Sequence, residues 1–220
     1  MTPRRVVLLR HGRTPWNAQR RFQGQADPPL DEVGRAQAYE VAGLIAALRP
    51  ELLVSSDAAR AMQTAEIVGA AAALPPIPEP RLRERGLGHW EGLTRDEVAE
   101  RYPAEYAEWA AGGDVNDRGG ETRDEVAARA VAAFGELPDV PTTVLVTHSA
   151  TAMALTNMLL GIAQRVHPLG PLANCHWTEL YCEDGTGTWR LRGHNLGTPG
   201  VIVPLPVRLA DAEDAPDAEA

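Results

Sequence analysis

A chain of 220 residues, 44% hydrophobic and 23% charged, can form one large α/β domain or two small ones and can bury roughly 70% of its unfolded surface. A formal net charge of -9, with all 21 basic residues Arg, argues against a nucleic-acid or anionic-membrane partner. Cys175 and Cys182 match no zinc spacing, and no apolar run reaches the length of a signal or membrane segment. Reduced thiols, no metal, no cofactor and a cytoplasmic location are therefore expected.

Val6-Val7-Leu8-Leu9 is a run of four aliphatics that reads as a short strand buried on both faces, as in parallel or mixed sheets covered by helices. It ends in Arg10-His11-Gly12-Arg13-Thr14, which places Arg10 and His11 at a strand's carboxyl end, where open α/β sheets bind ligands. Thr14 to Gln25 is polar and aperiodic and is expected to wrap the mouth of a site, up to Pro28-Pro29. Val33, Ala36, Val41, Leu44, Ile45 and Leu48 then follow helical spacing from Asp31 to Leu48. A second strand, Leu52 to Ser55, runs through Ser56-Asp57 into an Ala-rich helix, Ala58 to Ala73, that carries Arg60 and stops at Pro75-Pro76.

The segment from Pro80 to Gly92 is irregular, with Glu84 set among Arg81, Arg83 and Arg85. Helices over Thr94 to Arg101 and Ala104 to Ala110 lie inside the crossover and are expected to cap the strand ends, the cap spanning about 88–118. Asp117 to Thr122 opens a helix running to about Leu137. The strand Thr143 to Thr147 ends in His148 and leads into a helix from Ser149 to Leu160. Strands over His176 to Cys182 and Thr188 to Arg192 flank a hairpin turn at Glu183 to Gly187. His167 and His194 read as surface residues, and His89 and His176 as either pocket-mouth or loop residues. A single domain over 1–209 is expected, followed by an acidic, disordered tail over 210–220.

Three strand-like runs end in residues that carry chemistry. The sequence has no P-loop, no Cys followed six residues later by Arg, and no metal-ligand spacing of its histidines. A neutral imidazole held in one tautomer can attack phosphorus and carry a phosphoryl group. Such transfer depends on positioning and on positive charge around the phosphate oxygens, which the planar fork of Arg supplies. Arg10, His11, Arg60, His148 and Glu84 provide a nucleophile, cationic groups and an acid.

Arg10-His11-Gly12 with Thr14 and Asn17, Ser56-Asp57 with Arg60 and Thr64-Ala65, Leu82-Arg83-Glu84, Gly120-Glu121 and the His148 strand end appear in order. Together they resemble the histidine phosphatase superfamily, which includes phosphoglycerate mutases. The resemblance implies a three-layer α/β sandwich with a mostly parallel central sheet flanked by helices. It implies His11 as the phosphorylated nucleophile, Glu84 as proton donor, and Arg10, Arg60 and His148 as phosphate-holding residues. Asn17, Gln23, Gly24 and Ser149 would line the substrate pocket. Members commonly have Gly where Ser149 stands and an acidic or amide residue where Arg13 stands; Arg13 is expected to add positive potential at the entrance. A homodimer through a strand edge is an expectation from the family.

Mutases resembling this family carry a longer insertion between the acid and the second His, and the compact Glu84 to His148 interval favours hydrolysis. The segments Arg20 to Gln25, Gly88 to Thr94 and Ala173 to Leu180 are similar to glucosyl-3-phosphoglycerate phosphatases. The first expectation is a phosphatase of a small phosphomonoester. The alternatives are a cofactor-dependent phosphoglycerate mutase and a non-catalytic phosphate-binding regulator, which would have no need of Glu84.

Overall fold

The computed structural model describes residues 4–115, 117–166, 168–183 and 187–198. In chain order the elements are β1 (Arg4–Arg10), α1 (Pro15–Ala18), α2 (Glu32–Ala47), β2 (Leu52–Ser55), α3 (Ala59–Ala72), β3 (Ile77–Pro78), α4 (Arg95–Arg101), α5 (Pro103–Ala110), α6 (Arg123–Gly135), β4 (Thr142–Thr147), α7 (Ser149–Leu159), β5 (Trp177–Cys182) and β6 (Trp189–Leu196). The strands form one sheet in the order β3-β2-β4-β1-β5-β6. The first four in that order pair in parallel, while β5 and β6 pair antiparallel. The α/β sandwich with a mostly parallel sheet is thus the observed architecture.

The aliphatic run of β1 explains the layering. Successive side chains on a strand point to opposite faces, so Val7 and Leu9 join the core with α2 and α3, through Val41, Ile45, Ala61 and Val68. Val6 and Leu8 join the opposite core, with Ala130 and Phe134 of α6 and Leu155 of α7. All four are completely buried, and each such side chain contributes about 1.5–3 kcal/mol of transfer free energy.

Several local readings differ from the structure. In α2 the inward residues are Gly34, Ala38, Val41, Ala42 and Ile45, whereas Val33 and Leu44 are exposed. Small residues form the close-packed face here, so counting only large apolar positions rotates the helix. A Cβ on Gly34 would overlap the backbone of Arg13, and one on Gly12 would overlap the Gly34 carbonyl. The first turn of α2 therefore packs directly on the segment after β1.

The helix expected from Asp117 begins at α6 instead. Thr122 is its N-cap, and Glu125 reaches back to form a capping box that satisfies otherwise unpaired backbone amides. The brief α1 escapes periodicity analysis because it has four residues, yet Thr14 and Asn17 cap it reciprocally and Pro15 opens it.

Between α3 and α6, a short 3-10 turn at Gly88–Trp90 precedes α4 and α5. Trp90, Val98 and Val115 form a separate small core there, with Phe22 and Trp109 packed against it. The Phe22 ring lies 5.2 Å from Trp90 and 5.5 Å from Trp109, centroid to centroid. Phe22 thereby ties the segment after β1 to this cluster. His194, expected at the surface, is half-buried in β6: its Nε2–H donates to the Gly170 carbonyl at 2.7 Å, and its Nδ1 accepts from Thr178 Oγ1 at 2.8 Å. Residues 210–220, His167 and Asp184 to Thr186 of the expected hairpin turn lie outside the described residues.

Candidate active site

The carboxyl ends of β1, β4, β2 and β3 lie side by side, and each is followed by residues singled out from the sequence. His11 follows β1, and its amide donates to the carbonyl of Thr147 at the end of β4. His148 follows β4 as the N-cap residue of α7, and Ser56 follows β2. The rings of His11 and His148 sit 5.0 Å apart, edge to face. Both are almost completely buried.

His11 Nδ1 lies 2.7 Å from the carbonyl oxygen of Gly12. A carbonyl can only accept, so Nδ1 carries the proton and Nε2 keeps its lone pair. Burial, followed by repulsion from Arg60 and Arg10, holds the His11 pKa well below 6.5, so the ring is neutral. Gly12 is fixed in turn by its own amide, which donates to Thr64 Oγ1 at 3.1 Å. Asn174 Nδ2 donates to the His11 carbonyl at 3.0 Å.

Arg60, on the first turn of α3, is 1% exposed. Its Nη1 donates to the Ala26 carbonyl at 2.7 Å and its Nη2 to the Gly24 carbonyl at 2.9 Å. The loop after α1 is thus draped over this guanidinium, as the polar, aperiodic stretch suggested. Gly24 has φ +53, and a Cβ there would overlap the Glu91 carboxylate. Arg10 Nη1 donates to the Leu172 carbonyl. Burial lowers the pKa of both arginines, opposed first by Glu84, though a guanidinium stays charged in proteins. Arg10 Nε, Arg60 Nε and His148 Nδ1 are buried and have no hydrogen-bond partner among the described residues.

Glu84 lies at the N-terminus of the eleven-residue α7. The Arg85 amide donates to its Oε1 at 2.9 Å, and the amides of Ala150 and Thr151 approach its two oxygens at 3.3 Å each. A cleft opens from it, lined by Gln25, Asp27, Ala58, Arg60, Arg83 and Glu84. Two arginines and two imidazoles converging beside a carboxyl group suit a tetrahedral oxyanion bound against His11.

The substrate-binding candidates are less uniform. Asn17 Oδ1 accepts from the Thr14 amide at 3.1 Å and from Asn174 Nδ2 at 3.2 Å, and Gln23 Oε1 accepts from Thr14 Oγ1 at 2.9 Å. Gly24 contributes its carbonyl to Arg60, and Ser149 opens α7 half-buried. Arg13 does not supply free charge at the entrance, because its Nε pairs with Asp31 at 2.9 Å. His176 is buried against the site's edge, with its carbonyl accepting from the Arg10 amide, while His89 is exposed against Tyr102 in the separate small core.

One contributor has no signal in its surroundings in the sequence. Arg129, in the middle of the Ala-rich α6, grips the Glu121 carboxylate through Nε and Nη2 at 2.7 and 2.9 Å. The same guanidinium donates to the carbonyls of Arg81 and Arg83, both at 2.7 Å, and of Glu84 at 3.0 Å. Glu121 also accepts from the Gly86 amide at 2.7 Å and from Gln25 Nε2 at 3.2 Å. The backbone that presents Glu84 is therefore clamped from both sides.

Residues 6–196 match the family model of the histidine phosphatase superfamily, branch 1. The sequence is 39% identical over 191 residues to a glucosyl-3-phosphoglycerate phosphatase of Mycolicibacterium vanbaalenii, covering 82% of this chain and 85% of the relative. It is 38% identical over 193 residues to a glucosyl-3-phosphoglycerate phosphatase of Mycobacterium tuberculosis, covering 82% and 86%. A solved mycobacterial glucosyl-3-phosphoglycerate phosphatase in complex with VO3 superposes with a TM-score of 0.79 at 36% identity, over 88% of this chain and 100% of that one. In sequence and in fold, the chain belongs to the histidine phosphatase superfamily.

Proposed function

We propose that this protein is a metal-independent phosphatase that hydrolyses a small phosphomonoester through a phosphohistidine at His11. The observation that carries the reading is the fixed proton of His11: with Nδ1 donating to the Gly12 carbonyl, the Nε2 lone pair is the nucleophile. Arg10, Arg60 and His148 hold the phosphoryl oxygens, and the two guanidiniums offset their charge. Nε2 attacks phosphorus, the bond to the alcohol oxygen breaks, and Glu84 gives that oxygen its proton. Water then attacks phosphorus, giving a proton to Glu84, as the phosphorus–nitrogen bond breaks and its electron pair returns to Nε2, so that phosphate leaves with His11 neutral again.

Glucosyl-3-phosphoglycerate, or a related phosphate of a sugar or sugar acid, is the substrate we favour, because the named relatives act on it and cover most of both chains. Asn17, Gln23, Gly24 and Ser149 form the wall of the pocket in this reading, and the segment carrying α4 and α5 is its cap. The two free, buried cysteines fit a cytoplasmic protein.

The test is phosphate release in EDTA from glucosyl-3-phosphoglycerate, 3-phosphoglycerate, sugar phosphates and a phosphopeptide, with His11→Ala alongside. We expect preferential release from one small phosphomonoester, abolished in His11→Ala with the fold intact. Wild-type turnover in His11→Ala refutes the nucleophile. Conversion of 3-phosphoglycerate to its 2-isomer with a bisphosphate primer, in place of release, refutes hydrolysis in favour of a mutase.

A further inference from the structure

Ser56 is fully buried at the end of β2 and makes a contact that the reaction scheme above leaves without a role. Its Oγ lies 2.9 Å from His148 Nε2 and accepts from the Ala58 amide at 3.3 Å. The Ala58 amide can only donate, so it takes a lone pair of Oγ and leaves the hydroxyl proton in need of an acceptor. Among the described contacts of Ser56 Oγ, His148 Nε2 is the one group able to accept that proton. The hydroxyl therefore donates to Nε2, and the proton of the neutral ring is on Nδ1. That nitrogen is buried, lacks a hydrogen-bond partner among the described residues, and belongs to a ring whose centroid lies 5.0 Å from that of His11.

We infer that Ser56 is a positioning residue that holds His148 in its Nδ1–H tautomer, so that a neutral imidazole donates a hydrogen bond to the phosphoryl group. The inference rests on the assignment of His148 to phosphate holding made above. In the opposite tautomer the Nε2 proton would go to Ser56, and a bare Nδ1 lone pair would face a phosphate oxygen, turning an attraction into a repulsion. The electrostatics agree with a neutral ring, since burial, followed by Arg60, His11 and Arg10, holds the His148 pKa well below 6.5. The bulk of the positive charge at the site then comes from Arg10 and Arg60, while His148 supplies direction. The two histidines are set alike, each with its proton on Nδ1, but to opposite ends: His11 turns that proton to the backbone to free Nε2, and His148 keeps its own for the ligand.

The tautomer is read directly by long-range nitrogen–proton NMR correlation of the imidazoles in protein labelled at histidine, near neutral pH. In the wild type, His148 should show a protonated Nδ1 and an unprotonated Nε2, and inorganic phosphate should shift the Nδ1 resonance. Ser56→Ala should move His148 toward Nε2–H and weaken competitive inhibition by inorganic phosphate by about 10- to 100-fold, the loss expected of one hydrogen bond to a charged acceptor. Ser56→Thr, which keeps the hydroxyl, should restore both. A wild-type spectrum with the proton on Nε2, a spectrum unmoved by phosphate, or an unchanged tautomer in Ser56→Ala overturns the inference, and the first two need no variant to fold. Loss of the phosphatase reading is recognised separately, as a wild type that binds phosphate with His148 in the Nδ1–H form yet releases none from any monoester.

Discussion

Removing the Arg129 guanidinium tests whether the clamp on the Glu84 backbone matters. Arg129→Met keeps the aliphatic stem but deletes five hydrogen bonds, two of them to the Glu121 carboxylate and three to the carbonyls of Arg81, Arg83 and Glu84. Breaking a buried ion pair by removing one partner costs about 3–5 kcal/mol. Here the two side chains are 18% and 25% exposed and Glu121 keeps the Gly86 amide and Gln25, so the lower end, about 3 kcal/mol, is the expected loss. For a chain of this size that corresponds to a fall in Tm of about 6–12 °C.

The loss should also depend on pH. Burial pushes the Glu121 pKa up, but the Arg129 hydrogen bonds and the Gly86 amide outweigh it, leaving the carboxyl below its ordinary value of 4.5. A folded-state pKa below the unfolded one gives stability that is present above that ordinary value and disappears as pH falls through the folded one. The gap between wild type and Arg129→Met should therefore be full at neutral pH and narrow below about 4.5. Thermal denaturation across that range, paired with turnover of a sugar phosphate, is the assay. With Glu84 displaced by about 1 Å, kcat should drop by up to about 100-fold. A midpoint within about 2 °C of wild type, with unchanged turnover, refutes the clamp.

Two further outcomes follow from the assigned roles. Glu84→Gln should slow a sugar phosphate far more than p-nitrophenyl phosphate, whose leaving group is already acidic; equal losses would remove Glu84 as the proton donor. Because His11 and His148 both have folded-state pKa values well below 6.5, the unfolded chain takes up protons first as pH falls. Stability should thus be lost below about pH 6.5 at up to about 1.4 kcal/mol per pH unit for each histidine. A flat profile from about pH 7 to 5.5, or an unchanged slope in His148→Gln, would contradict the buried neutral pair.

The residues at the ends of β1, β2 and β4 were legible because strand and site are adjacent in sequence. A run such as Val6 to Leu9 must be covered on both faces, and a chain leaving such a strand delivers Arg10 and His11 to the sheet's edge. His148 and Ser56 follow their strands in the same way, and the helix carrying Arg60 follows β2. What local pattern could not supply was anything that depends on a partner far away in the chain. Val33 and Leu44 look like core residues until the close approach of Gly34 to Gly12 and Arg13 sets the rotation of α2. Arg13 looks like free charge until Asp31 is seen beside it.

Arg129 shows the limit most clearly. It lies 45 residues from Glu84, the residue whose backbone it clamps, in a helix of ordinary Ala-rich composition. The sequence by itself determined which groups can do chemistry and that three strands bring them to one edge, since covalent neighbours cannot be separated. Only the tertiary structure decided which nitrogen of each histidine holds its proton and what keeps Glu84 in place. Those depend on hydrogen bonds made with Gly12, Ser56, Arg129 and the first turn of α7, whose directions exist only once the sheet has closed and excluded water.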